Sequence, residues 1–187
     1  MHLWQSTDAV VAEAPLRMTK YGLVADVEGW FVVNATEARW RDSGPFGVYC
    51  DFEGKRPFRQ LGINISVLAP GQSIGFYHRE NAQEAFLVLT GECVLLVEGE
   101  ERPLRAWDFF HCPPRTAHMI VGAGDGPSVV IAAGARGLPR KGLVYEPSDL
   151  ARKHGVSVEK ETTKPTEAYA ALPRSRRIAY GGWLRER

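Results

Sequence analysis

The residues whose types could do chemistry together lie in two stretches, YHRENAQEAFLVLTGE (77–92) and DFFHCPPRTAH (108–118). In the first, His78, Glu80 and Glu84 stand at or just before the apolar run AFLVL. In the second, His118 follows a proline-rich turn and leads into MIVG. An ionisable side chain at the mouth of a buried strand is costly unless it is paired or bound to a metal. In extended backbone His78 and Glu80 share a face, and Glu84 has the same parity. One or two imidazoles converging with one or two carboxylates suit a hard-to-borderline divalent ion, with Fe, Mn, Zn and Ni all eligible. His78, Glu80, Glu84 and His118 are therefore the expected metal ligands. A second register turns Tyr77 and Arg79 inward instead. It would pair Arg79 with Glu84 and bind no metal.

Other reactive residues are given structural roles. His111 and Cys112 are adjacent, and neighbours on a strand point to opposite faces, so both cannot reach one ion. His111 is expected to pack or to support a ligand from behind, and Cys112 to act as a small apolar filler. GAGDG (122–126) reads as a hairpin turn rather than a phosphate loop. His2 and His154 are expected to face solvent. Arg174, Arg176, Arg177, Arg185 and Arg187 form a basic tail, read as a solvated or subunit-contacting surface.

The elements that must position the ligands are short and apolar. LGINISVLAPG (61–71), EAFLVLTG (84–91), ECVLLVEG (92–99), AWDFFHCP (106–113), HMIVGAG (118–124) and PSVVIAAG (127–134) are separated by Gly or Pro turns. Their regular spacing predicts an antiparallel sandwich or barrel. LTGECV and VEGEERPL suit hairpins. GWFVVNA (29–35) reads as a further strand, with one helical turn after it capped by Asn34. Ser6 or Thr7 could cap a short helix that Pro15 ends. After residue 136 the texture changes: Ser148 to Gly155 and the stretch from Pro165 read as short helices. The chain thus divides into an N-terminal lead (1–28), an all-β barrel (29–136) and a helical C-terminal extension (137–187). That extension is too short to bury a core alone, so its aromatics should pack on the barrel or on a second subunit.

The two motifs together resemble those of the cupin superfamily. Gly71, then His78-x-Glu80, Glu84 and Gly91 follow the first cupin motif, with Glu80 where a second histidine is usual. DFFHCPPRTAH follows the second, with Ala106 and Arg115 at positions where glycine is usual and Gly122 in place of the terminal Asn. The resemblance covers about residues 59 to 135. It implies a double-stranded β-helix, a jelly roll, with a metal or ligand inside the barrel and a small-molecule substrate. It also implies a homodimer, because cupin barrels often pair through sheet edges, and open edges invite pairing in any case.

Bulk composition narrows the function class. Lys and Arg number 23 against 22 Asp and Glu, so no overall field points to nucleic acid or an anionic membrane. No apolar run is long enough to span a bilayer, and the first residues lack a secretory pattern. Three scattered cysteines without a CxxC fit a reducing, cytoplasmic setting. The Asn34 and Asn64 glycosylation-like triplets are then coincidental. The favoured expectation is a metal-dependent enzyme acting on a small metabolite by oxygenation, isomerisation or decarboxylation. A non-catalytic binding module is the alternative, and a barrel plugged by Phe86, Phe109 or a tail aromatic is a third.

Overall fold

The computed structural model describes residues 10–138 and 142–184. The expected cap at Ser6 or Thr7, His2, Arg185 and Arg187 lie outside the described residues. Among the described residues fourteen strands follow in chain order. They are β1 (Leu16–Thr19), β2 (Gly22–Ala25), β3 (Trp40–Asp42), β4 (Val48–Cys50) and β5 (Leu61–Leu68). Next come β6 (His78–Arg79), β7 (Glu84–Thr90), β8 (Glu92–Val97), β9 (Glu100–Arg105) and β10 (Phe109–Cys112). The last are β11 (His118–Ala123), β12 (Ser128–Ala135), β13 (Val144–Tyr145) and β14 (Arg176–Ile178). Two short helices, α1 (Asp149–Lys153) and α2 (Pro165–Ala168), lie between β13 and β14.

Two antiparallel sheets carry the fold. One runs β10-β7-β12-β5-β4-β3-β14 and the other β13-β6-β11-β8-β9, while β1 and β2 form a separate hairpin. Alternation along the strands sends Phe86, Val88, Leu68, Cys112, Val130 and Ala132 from the first sheet and Cys93, Leu95 and Ile120 from the second into one shared core. Each such aliphatic or aromatic burial contributes roughly 1.5–3 kcal/mol. Two antiparallel sheets closed over a common core make the jelly roll that the motifs implied. The β7–β8 turn depends on Gly91, whose φ is +76° and whose missing Cβ would meet the Pro127 carbonyl at 2.7 Å.

The outer faces are covered by the chain's extensions. Behind the five-stranded sheet, Tyr77, Leu96, Met119 and Val121 pack with Ala151 of α1 and Val156. Ser148 caps α1, its hydroxyl accepting from the Ala151 N–H at 3.3 Å. Behind the seven-stranded sheet, Trp40 is fully buried, with Trp183 and Tyr180 at ring-centroid distances of 5.1 and 5.8 Å.

Several expectations are corrected. Residues 29–35 are not a strand: Trp30 makes only an isolated bridge to Glu13. Asn34 does cap one turn, its Oδ1 accepting from the Thr36 N–H at 2.9 Å, but Trp40 then opens β3 rather than continuing a helix. The tail is only partly helical, since α1 and α2 have five and four residues and β13 and β14 extend the two sheets. The three cysteines are buried and unpaired. Among the described residues no helix is long and apolar enough to cross a membrane.

Candidate metal centre

Register brings the ligands together. In the five-stranded sheet His118 is paired with His78 on one side and Val97 on the other, and Tyr145 is paired with His78. Side chains in one cross-strand row share a face, so Tyr145, His78 and His118 stand side by side on the inner surface. In the facing sheet Glu84 is paired with Cys112 and Gly134. Gly134 has no side chain to crowd Glu84: a Cβ there would lie 3.5 Å from the Glu84 Cγ and Oε1.

His78, Glu84 and His118 each offer one ligand atom, and these atoms lie within 4.8 Å of one another. The inner register is therefore the one in which His78 faces the core. Tyr77 is buried behind the sheet, and Arg79 pairs with Glu146 at 2.5 Å instead of with Glu84. Glu80 does not join the group. The strand β6 ends at Arg79, so the strict alternation that would have carried Glu80 inward stops one residue short. Its backbone carbonyl accepts from the Arg115 N–H at 2.6 Å, and its charge acts on Tyr145.

Both imidazoles are oriented by the backbone. His78 Nδ1 lies 2.8 Å from the Phe76 carbonyl, and His118 Nδ1 lies 3.0 Å from the Thr116 carbonyl. With Nδ1–H donating to a carbonyl, the neutral ring keeps its lone pair on Nε2. The Glu84 Oε2 is 3.2 Å from His118 Nε2, yet it is buried and accepts no hydrogen bond. A buried carboxylate oxygen without a donor, facing imidazole lone pairs, is unfavourable unless a proton or cation enters. The donor set of two imidazoles and one carboxylate fits a divalent ion there.

Without such an ion the proton goes to His118. Burial opposes its charge, but the Cys112 thiol and the Glu84 carboxylate outweigh that and push it up to about 10. His78 moves the opposite way, lowered by burial and by the charge on His118. Phe86 and Phe110 pack on the His118 ring with centroids at 5.3 and 5.9 Å, keeping it dry.

Two contributors were not expected from sequence. Cys112, taken as filler, places Sγ 3.4 Å from His118 Nδ1; its pairing opposite Glu84 is what aims it there. Tyr145 lies in the tail, with its ring centroid 5.6 Å from that of His78 and 5.7 Å from that of Tyr169. No motif marks it, because a two-residue strand carries no alternation. His111 is exposed on the outer face of β10. A cavity of about 410 Å³ opens beside Tyr169, between Tyr49, Asn64 and Ser66 on the inner sheet face and Leu172–Ser175 of the tail. The three clustered residues do not themselves line it.

A family model agrees with this architecture. Residues 64–134 match the family model described as "Cupin domain", and this stretch of the chain is a cupin domain. No curated protein matches the chain. Among solved structures, a candidate sugar phosphate isomerase from Acidithiobacillus ferrooxidans is 31% identical over 46% of this chain and 55% of its own, at a TM-score of 0.42. A cupin-superfamily sugar phosphate isomerase from Silicibacter pomeroyi is 23% identical over 55% and 62%, at 0.44. KdgF from a Halomonas species is 24% identical over 51% and 85%, at 0.45. The match thus spans only about three-fifths or less of the length of the first two proteins.

Proposed function

We propose that the protein is a metal-dependent enzyme that acts on a small metabolite within the barrel, with a divalent ion held by His78, Glu84 and His118. The convergence of the Glu84 carboxylate with two imidazoles that backbone carbonyls orient carries this reading. A bound divalent ion at such a site polarises a substrate oxygen and acidifies bound water. One carboxylate against a divalent charge leaves the centre net positive, which favours an anionic or enolate-like oxygen.

The chain's own groups do the positioning. Tyr145 beside His78 keeps its phenol proton, because burial and the neighbouring Tyr169 raise it well above the ordinary range. Its phenol O–H already donates to Tyr169, so its oxygen can accept a hydrogen bond from a substrate hydroxyl. Phe86 and Phe110 exclude water around His118. The adjoining cavity admits a molecule of metabolite size, and Tyr49, Asn64 and Ser66 supply its polar contacts. The active unit in this reading is a homodimer joined through the β10 edge, where Trp107 and Phe109 are 72% and 65% exposed.

Protein purified without chelators and analysed for bound elements tests the metal. Near one equivalent in the wild type, falling in Glu84→Gln and His118→Ala, supports the reading. A metal-free wild type that takes up none of Fe, Mn, Zn or Ni on addition overturns it.

A further inference from the structure

Away from the barrel centre lies a second built site. Its walls come from the N-terminal hairpin, the residues preceding β3, the loop after β4 and the last strand β14. A cavity of about 300 Å³ there is lined by five cationic side chains: Arg17, Lys20, Arg39, Lys55 and Arg177. Asp26 is the only carboxylate among the lining residues, and Arg17 already holds it.

Arg39 is the unusual member. It is 7% exposed, and its buried Nε–H has no acceptor. Its terminal NH2 donates to the Glu53 carbonyl and lies 3.4 Å from Asp51. That Asp51 is shared, since Arg41 Nε donates to its other oxygen at 2.9 Å. Arg177 stands directly opposite Arg41 across the β14–β3 pair. Like charges in directly opposed positions of a sheet repel. Among the described residues neither the Lys55 ammonium nor the Arg177 guanidinium makes a hydrogen bond or ion pair, although the Lys55 charge acts on Asp26. An orphaned buried guanidinium N–H beside five cations that share one lining carboxylate is the complement of an oxyanion, and arginine forks match phosphoryl geometry.

We propose that this cavity binds the phosphoryl group of a small phosphate-bearing molecule, with Arg39 at its base and Lys55 and Arg177 closing over it. The site lies outside the cluster of His78, Glu84 and His118, so it does not rest on the metal reading. Its parts come from both ends of the chain, so an anion there would also tie the N-terminal hairpin to β14.

Calorimetric titration of the EDTA-treated full chain tests the proposal, with inorganic phosphate and glycerol phosphate as probes and ionic strength held constant by sodium chloride. Saturable binding is expected, weakened about tenfold or more in Lys55→Gln/Arg177→Gln. Both positions are on the surface, so that variant should fold, and circular dichroism checks it. Glu84→Gln should bind phosphate as the wild type does. Tighter glycerol phosphate assigns the site to a phosphorylated metabolite, and equal or tighter inorganic phosphate assigns it to the free ion. Heat that only follows ionic strength, or binding unchanged in the folded double variant, overturns the proposal.

Discussion

At the residue scale the contrast between Glu84 and Glu80 is the informative one. Both precede the same apolar run, but only Glu84 joins the cluster with His78 and His118. Glu84→Gln should strip most of the bound metal, whereas Glu80→Gln should keep a stoichiometry close to that of the wild type; elemental analysis of the two variants checks this. The pH dependence has a definite sign. With His118 raised to about 10, the metal-free site holds a proton at neutral pH that the ion must displace. Metal affinity should therefore climb about tenfold per pH unit from neutrality towards pH 10, as a titration in non-chelating buffers will show. His78 is lowered and already neutral there, so it adds no second proton to that slope. The metal-free protein should also show linkage. A folded-state pKa above the unfolded 6.5 stabilises below pH 6.5, and that stability is lost as pH rises through 10. His78 acts in reverse, costing stability as pH falls below 6.5. Thermal melts of metal-free protein across that range, compared with His118→Ala, check the linkage.

At the element scale, one strained backbone position coincides with a departure from the cupin motif. Arg115, at a position where the second motif usually has glycine, has a φ of +71°. Its N–H donates to the Glu80 carbonyl and its side chain reaches Asn81 at 3.4 Å, so the turn clamps the segment after His78. Arg115→Gly should relieve left-handed strain and raise stability by about 1 kcal/mol, as read by chemical denaturation. Trp107 is also left-handed, φ +76°, beside the Ala106 that the motif singled out, while Phe52 and Glu98 are left-handed away from the motif. The strands with strong alternation were legible because a half-buried strand must alternate. β9 showed no alternation, since EERPLR is polar and mostly exposed, and only the Gly turn in VEGEERPL marked it as the second arm of a hairpin; Pro103 is tolerated because β9 is a sheet edge. β13 and β14 have two and three residues, too few to show a period. GWFVVNA misled for the opposite reason. Its apolar residues serve contacts such as Val33 on the outer cluster without any strand pairing. Likewise the cluster was legible as residue types, while the membership of Glu80 turned on where a two-residue strand stops.

At the scale of the whole molecule, the C-terminal stretch works as part of the barrel. It supplies Tyr145 beside His78, covers the outer face beneath α1, and packs Trp183 and Tyr180 against Trp40. Trp183→Ala should cost about 2–3 kcal/mol, below the value for a fully enclosed tryptophan because Trp183 is half-buried, and a denaturant midpoint measures it. The same dependence means that the candidate metal centre and its cavity need the tail in place. The central physical claim is that the Glu84 carboxylate and the two oriented imidazoles hold a cation. Elemental analysis of chelator-free wild type alongside His118→Ala tests it most directly. Close to one divalent ion per chain is expected in the wild type and little in the variant. An equal metal content in both, or a wild type that neither carries nor takes up a divalent ion, would contradict it.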